Sequence, residues 1–134
     1  MCKVMKISIN EATLQSQTNE VNAVVGETNT AIAMKSGSLP VFATPSMIAL
    51  MEQAASELLD GCIDEGQTSV GTMINVKHLV ASPMGAQITA TATVIEVLGR
   101  KIEFSVTATD GKNEIGKGTH TRMIVDAEKF MSRI

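Results

Sequence analysis

Aromatic side chains are almost missing from this chain of 134 residues: it has no Trp and no Tyr, and its 2% aromatic share consists of Phe42, Phe104 and Phe130. A core must then be filled by aliphatic residues and by the nine Met, and few rings remain on which bases could stack. Positive charge is also scarce. A net charge of −3 with no run of Lys or Arg gives no attraction to a phosphate backbone, so no nucleic acid partner is expected. The two cysteines, Cys2 and Cys62, form no disulfide framework and lack the spacing of a zinc site. No apolar run reaches the length of a membrane span, and the opening MCKVMKISIN has no apolar signal core, so a cytoplasmic protein with no membrane partner is expected. A GxSxG elbow, a glycine-rich phosphate loop and a metal-ligand cluster are all lacking, and neither metal nor cofactor is implied.

What is present fits a folded protein. Hydrophobic residues make up 44% and charged residues 19%, enough apolar surface to offset the entropy of ordering. With no repeat and no linker-like stretch, one domain over residues 1–134 is expected. Lys3 to Ser8 and Glu20 to Thr30 read as strands. Pro45 to Asp60 reads as a helix, with Thr44 as its N-cap, Pro45 in its first turn and Gly61 as its stop. Met47, Ile48, Met51, Ala54, Ala55, Leu58 and Leu59 recur at helical spacing and define one apolar face.

After the helix the period changes to two. Val70, Thr72, Ile74, Val76, His78 and Val80 are placed on one face of a strand, which Ser82-Pro83-Met84-Gly85 turns into Gln87 to Leu98. Gly99-Arg100 leads into Lys101 to Thr109, and Asp110-Gly111 into Glu114 to Asp126. Connections this short predict a four-strand antiparallel meander. A curved sheet that wraps the apolar helix satisfies both elements, an α+β solution of the hotdog kind.

Three side chains stand out chemically. Glu52 lies at the border of the apolar helix face, where a partly desolvated carboxylate needs a donor. His78 takes an inward strand position where alternation predicts an apolar residue, and Glu52 is its natural partner, since a carboxylate that orients an imidazole is a common acid–base arrangement. The Thr44 hydroxyl can serve as a cap, a nucleophile or an oxyanion donor. Eight residues along a regular helix rise about 12 Å, so Thr44 meets Glu52 only through a bend or a second subunit. On the last strand His120 and Arg122 share a side with Gly116 and Gly118, where another backbone or a ligand can approach closely.

The segments LPVFATPSMIALMEQAA, SVGTMINVKHLVASPMG and IGKGTHTRMIVD resemble the hotdog-fold thioesterases of the fluoroacetyl-CoA thioesterase kind, over roughly Gly37 to Asp126. The resemblance implies that Thr44, Glu52 and His78 act together on an acyl-CoA thioester. It further implies that Gly71 is a backbone donor near the thioester carbonyl and that Arg122 contacts the substrate. Subunits of such proteins pair through their sheets with sites at the interface, so a homodimer or a dimer of dimers is expected. Thr44 or Glu52 can attack the carbonyl, or His78 with Glu52 can activate water; a hydratase or dehydratase and a non-catalytic acyl-CoA binding module are the other readings. The fluoroacetyl-specific enzyme carries a phenylalanine lid before this first segment. Here Met34-Lys35-Ser36-Gly37-Ser38 offers no aromatic ring, which implies no fluoroacetyl selectivity, while the bulk of Met47, Ile48 and Met51 on the helix face beside Glu52 predicts a narrow acyl tunnel and a short or small branched acyl group.

Overall fold

A computed structural model describes residues 14–134. Strand β1 (Thr18–Val24) is followed by helix α1 (Thr44–Asp60), strands β2 (Gln67–His78), β3 (Gln87–Leu98), β4 (Lys101–Thr109) and β5 (Glu114–Asp126), and the short helix α2 (Ala127–Ser132). The last three strands begin and end where alternation and turn residues place them. Gly99 and Gly111 turn the chain at positive φ of 63° and 92°, a conformation that disfavours other residues. The strand expected over Glu20 to Thr30 starts earlier and stops at Val24, because Gly26 N–H and the Asn29 side chain close a turn. The strand expected over Lys3 to Ser8 lies outside the described residues.

The five strands form one antiparallel sheet in the order β1-β3-β4-β5-β2. This corrects the expected meander, because β2 pairs with β5 and not with β3. The segment between β2 and β3 is a strap rather than a hairpin turn. Leu79 N–H bonds to Ile115 O at 2.6 Å, Phe42 N–H to Ser82 O at 2.9 Å and Gly85 N–H to Val25 O at 2.8 Å. Those bonds lead the chain from the β2 edge across to the β1 side, and β2 is left with an open edge.

Inside the sheet lies α1, burying Met47, Leu50, Met51, Ala54, Ala55, Leu58 and Leu59 against Ile102, Phe104, Val106 and Ala108. Each large apolar side chain so buried contributes roughly 1.5–3 kcal/mol, more than a single cap residue at about 1 kcal/mol. Burial therefore holds this helix in place, and its N-terminus can do without a side-chain cap. The buried face matches the expected one except that Leu50 is buried and Ile48 only partly so. Among the described residues no helix is long and apolar enough to cross a membrane.

A bulge in β2 sets the geometry of the site. Gly71 pairs with Arg122 and Met73 with Thr121, so Thr72 is the additional residue. Before it, Ser69 and Gly71 face the helix. After it, the inward residues are those paired with His120, Gly118 and Gly116, namely Ile74, Val76 and His78. Unbroken alternation over Val70 to Val80 is thus corrected: one additional residue exchanges the faces, so that Gly71 and His78 point the same way although an odd number of positions separates them.

Candidate active site

Two polar clusters flank α1. At its start, Ala43 and not Thr44 is the N-cap, and no side chain caps the helix. The Thr44 hydroxyl is engaged elsewhere: its Oγ1 lies 2.8 Å from Nδ1 of His78. Phe42 meets the imidazole edge-on, with centroids 6.5 Å apart. Burial holds the His78 imidazole below its ordinary value; the Val80 backbone opposes that shift without reaching hydrogen-bond geometry. The ring is therefore neutral near pH 7. With Nδ1 accepting the threonine proton, Nε2 carries the ring hydrogen, and this buried nitrogen has no hydrogen-bond partner among the described residues. A cleft of about 260 Å³ opens beside the pair, lined by Ser36, Phe42, Thr44, His78, Leu79 and Val80 among others.

The second cluster lies about two turns further along the helix. Glu52, its side chain 43% exposed, sits with Oε2 at 3.7 Å from Nη1 of the buried Arg122. Burial pulls the Arg122 guanidinium below its ordinary value, and the carboxylates of Glu52 and Asp60 oppose this. Arg122 Nε–H donates to Ser69 Oγ at 2.8 Å and Nη2–H to Ser69 O at 3.0 Å. Gly71 is packed directly over the pair, where a Cβ atom would stand 2.7 Å from Glu52 Oε2 and 3.3 Å from Arg122 Nη1. Within one protomer it is thus Arg122, not His78, that pairs with the half-exposed Glu52 carboxylate, as an ion pair rather than a hydrogen bond.

The expected site residues therefore fall into two groups, Thr44 with His78 and Glu52 with Gly71 and Arg122. Because Thr44 is itself helical, the rise to Glu52 is about 12 Å. Ser69, Phe42 and the packing role of His120 are not evident from the sequence, although Ser69 is a polar residue on the inward face two positions before Gly71. Met47 and Met51 are fully buried in the core, with Met47 against Gly116, and they do not line the cleft beside Thr44. Among the described residues no group of His, Cys, Asp and Glu could hold a metal ion.

Residues 25–128 match the family model for fluoroacetyl-CoA-specific thioesterases. The fluoroacetyl-CoA thioesterase of Streptantibioticus cattleyicolor is 42% identical over 94 residues, 70% of this chain and 68% of that protein. This chain belongs to the fluoroacetyl-CoA-specific thioesterase family. As a member it is a thioesterase, the enzyme class that the sequence implies. A solved structure of a fluoroacetyl-CoA thioesterase superposes with a TM-score of 0.84 at 34% identity, covering 89% of this chain and 93% of that one. A hot-dog-like protein from Thermanaerovibrio acidaminovorans superposes with a TM-score of 0.82 at 27% identity, covering 89% and 88%. The curled sheet around α1 is accordingly the hotdog fold.

Proposed function

We propose that this chain hydrolyses a short or small branched acyl-CoA to the free acid and CoA, in a site that two subunits complete together. The observation that carries this reading is the 2.8 Å bond between Thr44 Oγ1 and His78 Nδ1. A neutral imidazole accepting from a hydroxyl is the arrangement that activates an oxygen nucleophile. As Thr44 Oγ1 attacks the thioester carbonyl, His78 takes its proton; the C–S bond then breaks, and the proton passes to the departing CoA thiolate. Water drawn by the same imidazole cleaves the resulting ester, releasing the acid and restoring Thr44. Balanced in this way, hydrolysis needs no oxidant and no co-reactant besides water.

The second subunit enters through the open edge of β2, where Met73 and Ile74 are exposed at 42% and 37%. An unpaired strand edge with apolar side chains is a template for another strand. Antiparallel pairing of two β2 strands about a two-fold axis near Ile74 and Asn75, halfway between Gly71 and His78, lays the partner's Gly71 beside His78. The partner's Glu52, whose carboxylate accepts, is then the group that meets the unsatisfied Nε2–H of His78, and the Gly71 backbone faces the thioester carbonyl. A homodimer, or a dimer of such dimers, is the expected assembly.

Substrate choice follows from the cleft, which is small and lacks an aromatic lid. Assayed by release of free CoA thiol, acetyl-CoA and isobutyryl-CoA are expected to exceed palmitoyl-CoA in kcat/KM. Fluoroacetyl-CoA is expected to exceed acetyl-CoA by less than about a thousandfold, or roughly 4 kcal/mol of transition-state discrimination. A best rate with palmitoyl-CoA contradicts the size argument, and a larger fluoroacetyl preference contradicts the lid argument. Hydration of an enoyl thioester without thiol release places the protein among the hydratases, and binding without turnover makes it a binding module.

Gly71→Ala separates site geometry from folding. The new methyl first meets the end of the flexible Glu52 side chain, at 2.7 Å, so the carboxylate moves and the sheet stays. We expect kcat to fall about a hundredfold, the effect of a displacement near 1 Å, with an unchanged thermal transition. Wild-type kcat in this variant contradicts the role of Gly71.

A further inference from the structure

We propose that His120 is a positioning residue, which aims the Arg122 guanidinium at Glu52 and ties the β2 bulge to β5; this rests on Glu52 being a catalytic group. The imidazole is 1% exposed and has a partner at each nitrogen. Nδ1 lies 2.8 Å from Met73 O, the backbone carbonyl immediately past the bulge. A carbonyl only accepts, so Nδ1 carries the proton. Nε2 lies 3.2 Å from Arg122 Nη1, and a guanidinium only donates, so Nε2 presents its lone pair. Both contacts demand the same neutral tautomer.

The consequence for Arg122 is that its fork is held on three sides. Ser69 Oγ takes Nε–H, Ser69 O takes Nη2–H and His120 Nε2 takes one hydrogen of Nη1, leaving the other free to face Glu52 Oε2. The ring is stacked on Phe104, centroids 6.0 Å apart at 27°, and its Cε1 is 3.2 Å from where a Gly71 Cβ would stand. One side chain thus sets the distance between the bulge backbone and the arginine. Protonating Nε2 would turn an acceptor into a donor facing a cation. Burial and the Arg122 charge hold His120 below its ordinary value, while the Met73 carbonyl and the Glu52 carboxylate oppose this.

Three measurements on the full chain test the proposal. In nitrogen-15 spectra of the wild type at neutral pH, His120 is expected to show a protonated Nδ1 and an unprotonated Nε2; the opposite tautomer or the cation overturns the proposal. His120→Leu removes the acceptor and is expected to lower kcat about a hundredfold, with KM changed less than about threefold. His120→Gln, whose amide oxygen can accept from Arg122, is expected to recover at least about a tenth of the wild-type kcat. The Arg122 Nε–H signal should shift or broaden in the leucine variant and return in the glutamine variant. A folded His120→Leu protein with wild-type kcat, or equal losses in both variants with an unmoved Arg122 signal, overturns the proposal. If the wild type releases no thiol from any acyl-CoA, the proposed function fails, and the tautomer together with the Arg122 signal still decides the role of His120.

Discussion

Thr44→Val is expected to lower kcat for acyl-CoA hydrolysis by about a thousandfold or more, since it removes the nucleophile together with the proton that His78 accepts, and to leave the fold intact. The two parts of this expectation have separate causes. Valine keeps the shape and the β-branch of threonine but has no Oγ1, so the 2.8 Å bond to His78 Nδ1 and the nucleophile disappear together. Stability should fall by about 1 kcal/mol, the net worth of the one hydrogen bond lost, with no further loss from capping, because Ala43 is the N-cap and Thr44 makes no cap bond. Thr44→Ser retains the hydroxyl and should retain most of the rate. Kinetics and thermal denaturation on the same preparations separate the two roles: a Thr44→Val enzyme with wild-type kcat removes Thr44 from the chemistry.

Much of the fold is legible in the sequence because it rests on short-range chemistry. Ile102, Phe104, Val106 and Ala108 alternate with polar neighbours, and glycine turns bracket them, so β3, β4 and β5 have the bounds that their residues dictate. The helix is equally plain from its apolar face. Strand order is not local: β2 pairs with β5 because the 79–86 strap is bonded to Ile115, Phe42 and Val25, contacts between residues far apart in sequence. The bulge at Thr72 is also invisible to a count of period two, since a single additional residue exchanges every subsequent side chain between faces.

The candidate site is legible as residue types and less so as partnerships. Thr44, Glu52 and His78 attract attention singly, and a Glu–His pair is the simplest way to combine them. The protomer instead pairs Thr44 with His78 and Glu52 with Arg122. Thr before Pro at a helix start fits a cap; the strand that carries His78 to Thr44 comes from beyond the helix, and nothing in the local sequence announces the meeting. Arg122 and Gly71 are marked only by the family resemblance, whereas their packing around Glu52 depends on the bulge. His120 is a polar residue on a strand face in the sequence and a doubly bonded, stacked imidazole in the fold.

The central claim is that each active site takes Thr44 and His78 from one subunit and Glu52 from the other, and subunit exchange tests it most directly. Thr44→Val and Glu52→Gln proteins, each inactive as a homodimer, are mixed in equal amounts, exchanged under mild denaturant and returned to assay conditions. In a mixed dimer with shared sites, one site carries both substitutions and the other carries neither. Half of the dimers are mixed after random exchange, so the account predicts recovery of about a quarter of the wild-type rate from two inactive parents. Activity that stays at the level of the parents, with exchange verified by mass spectrometry of the intact dimers, would show that all three residues act within one protomer and would contradict the account.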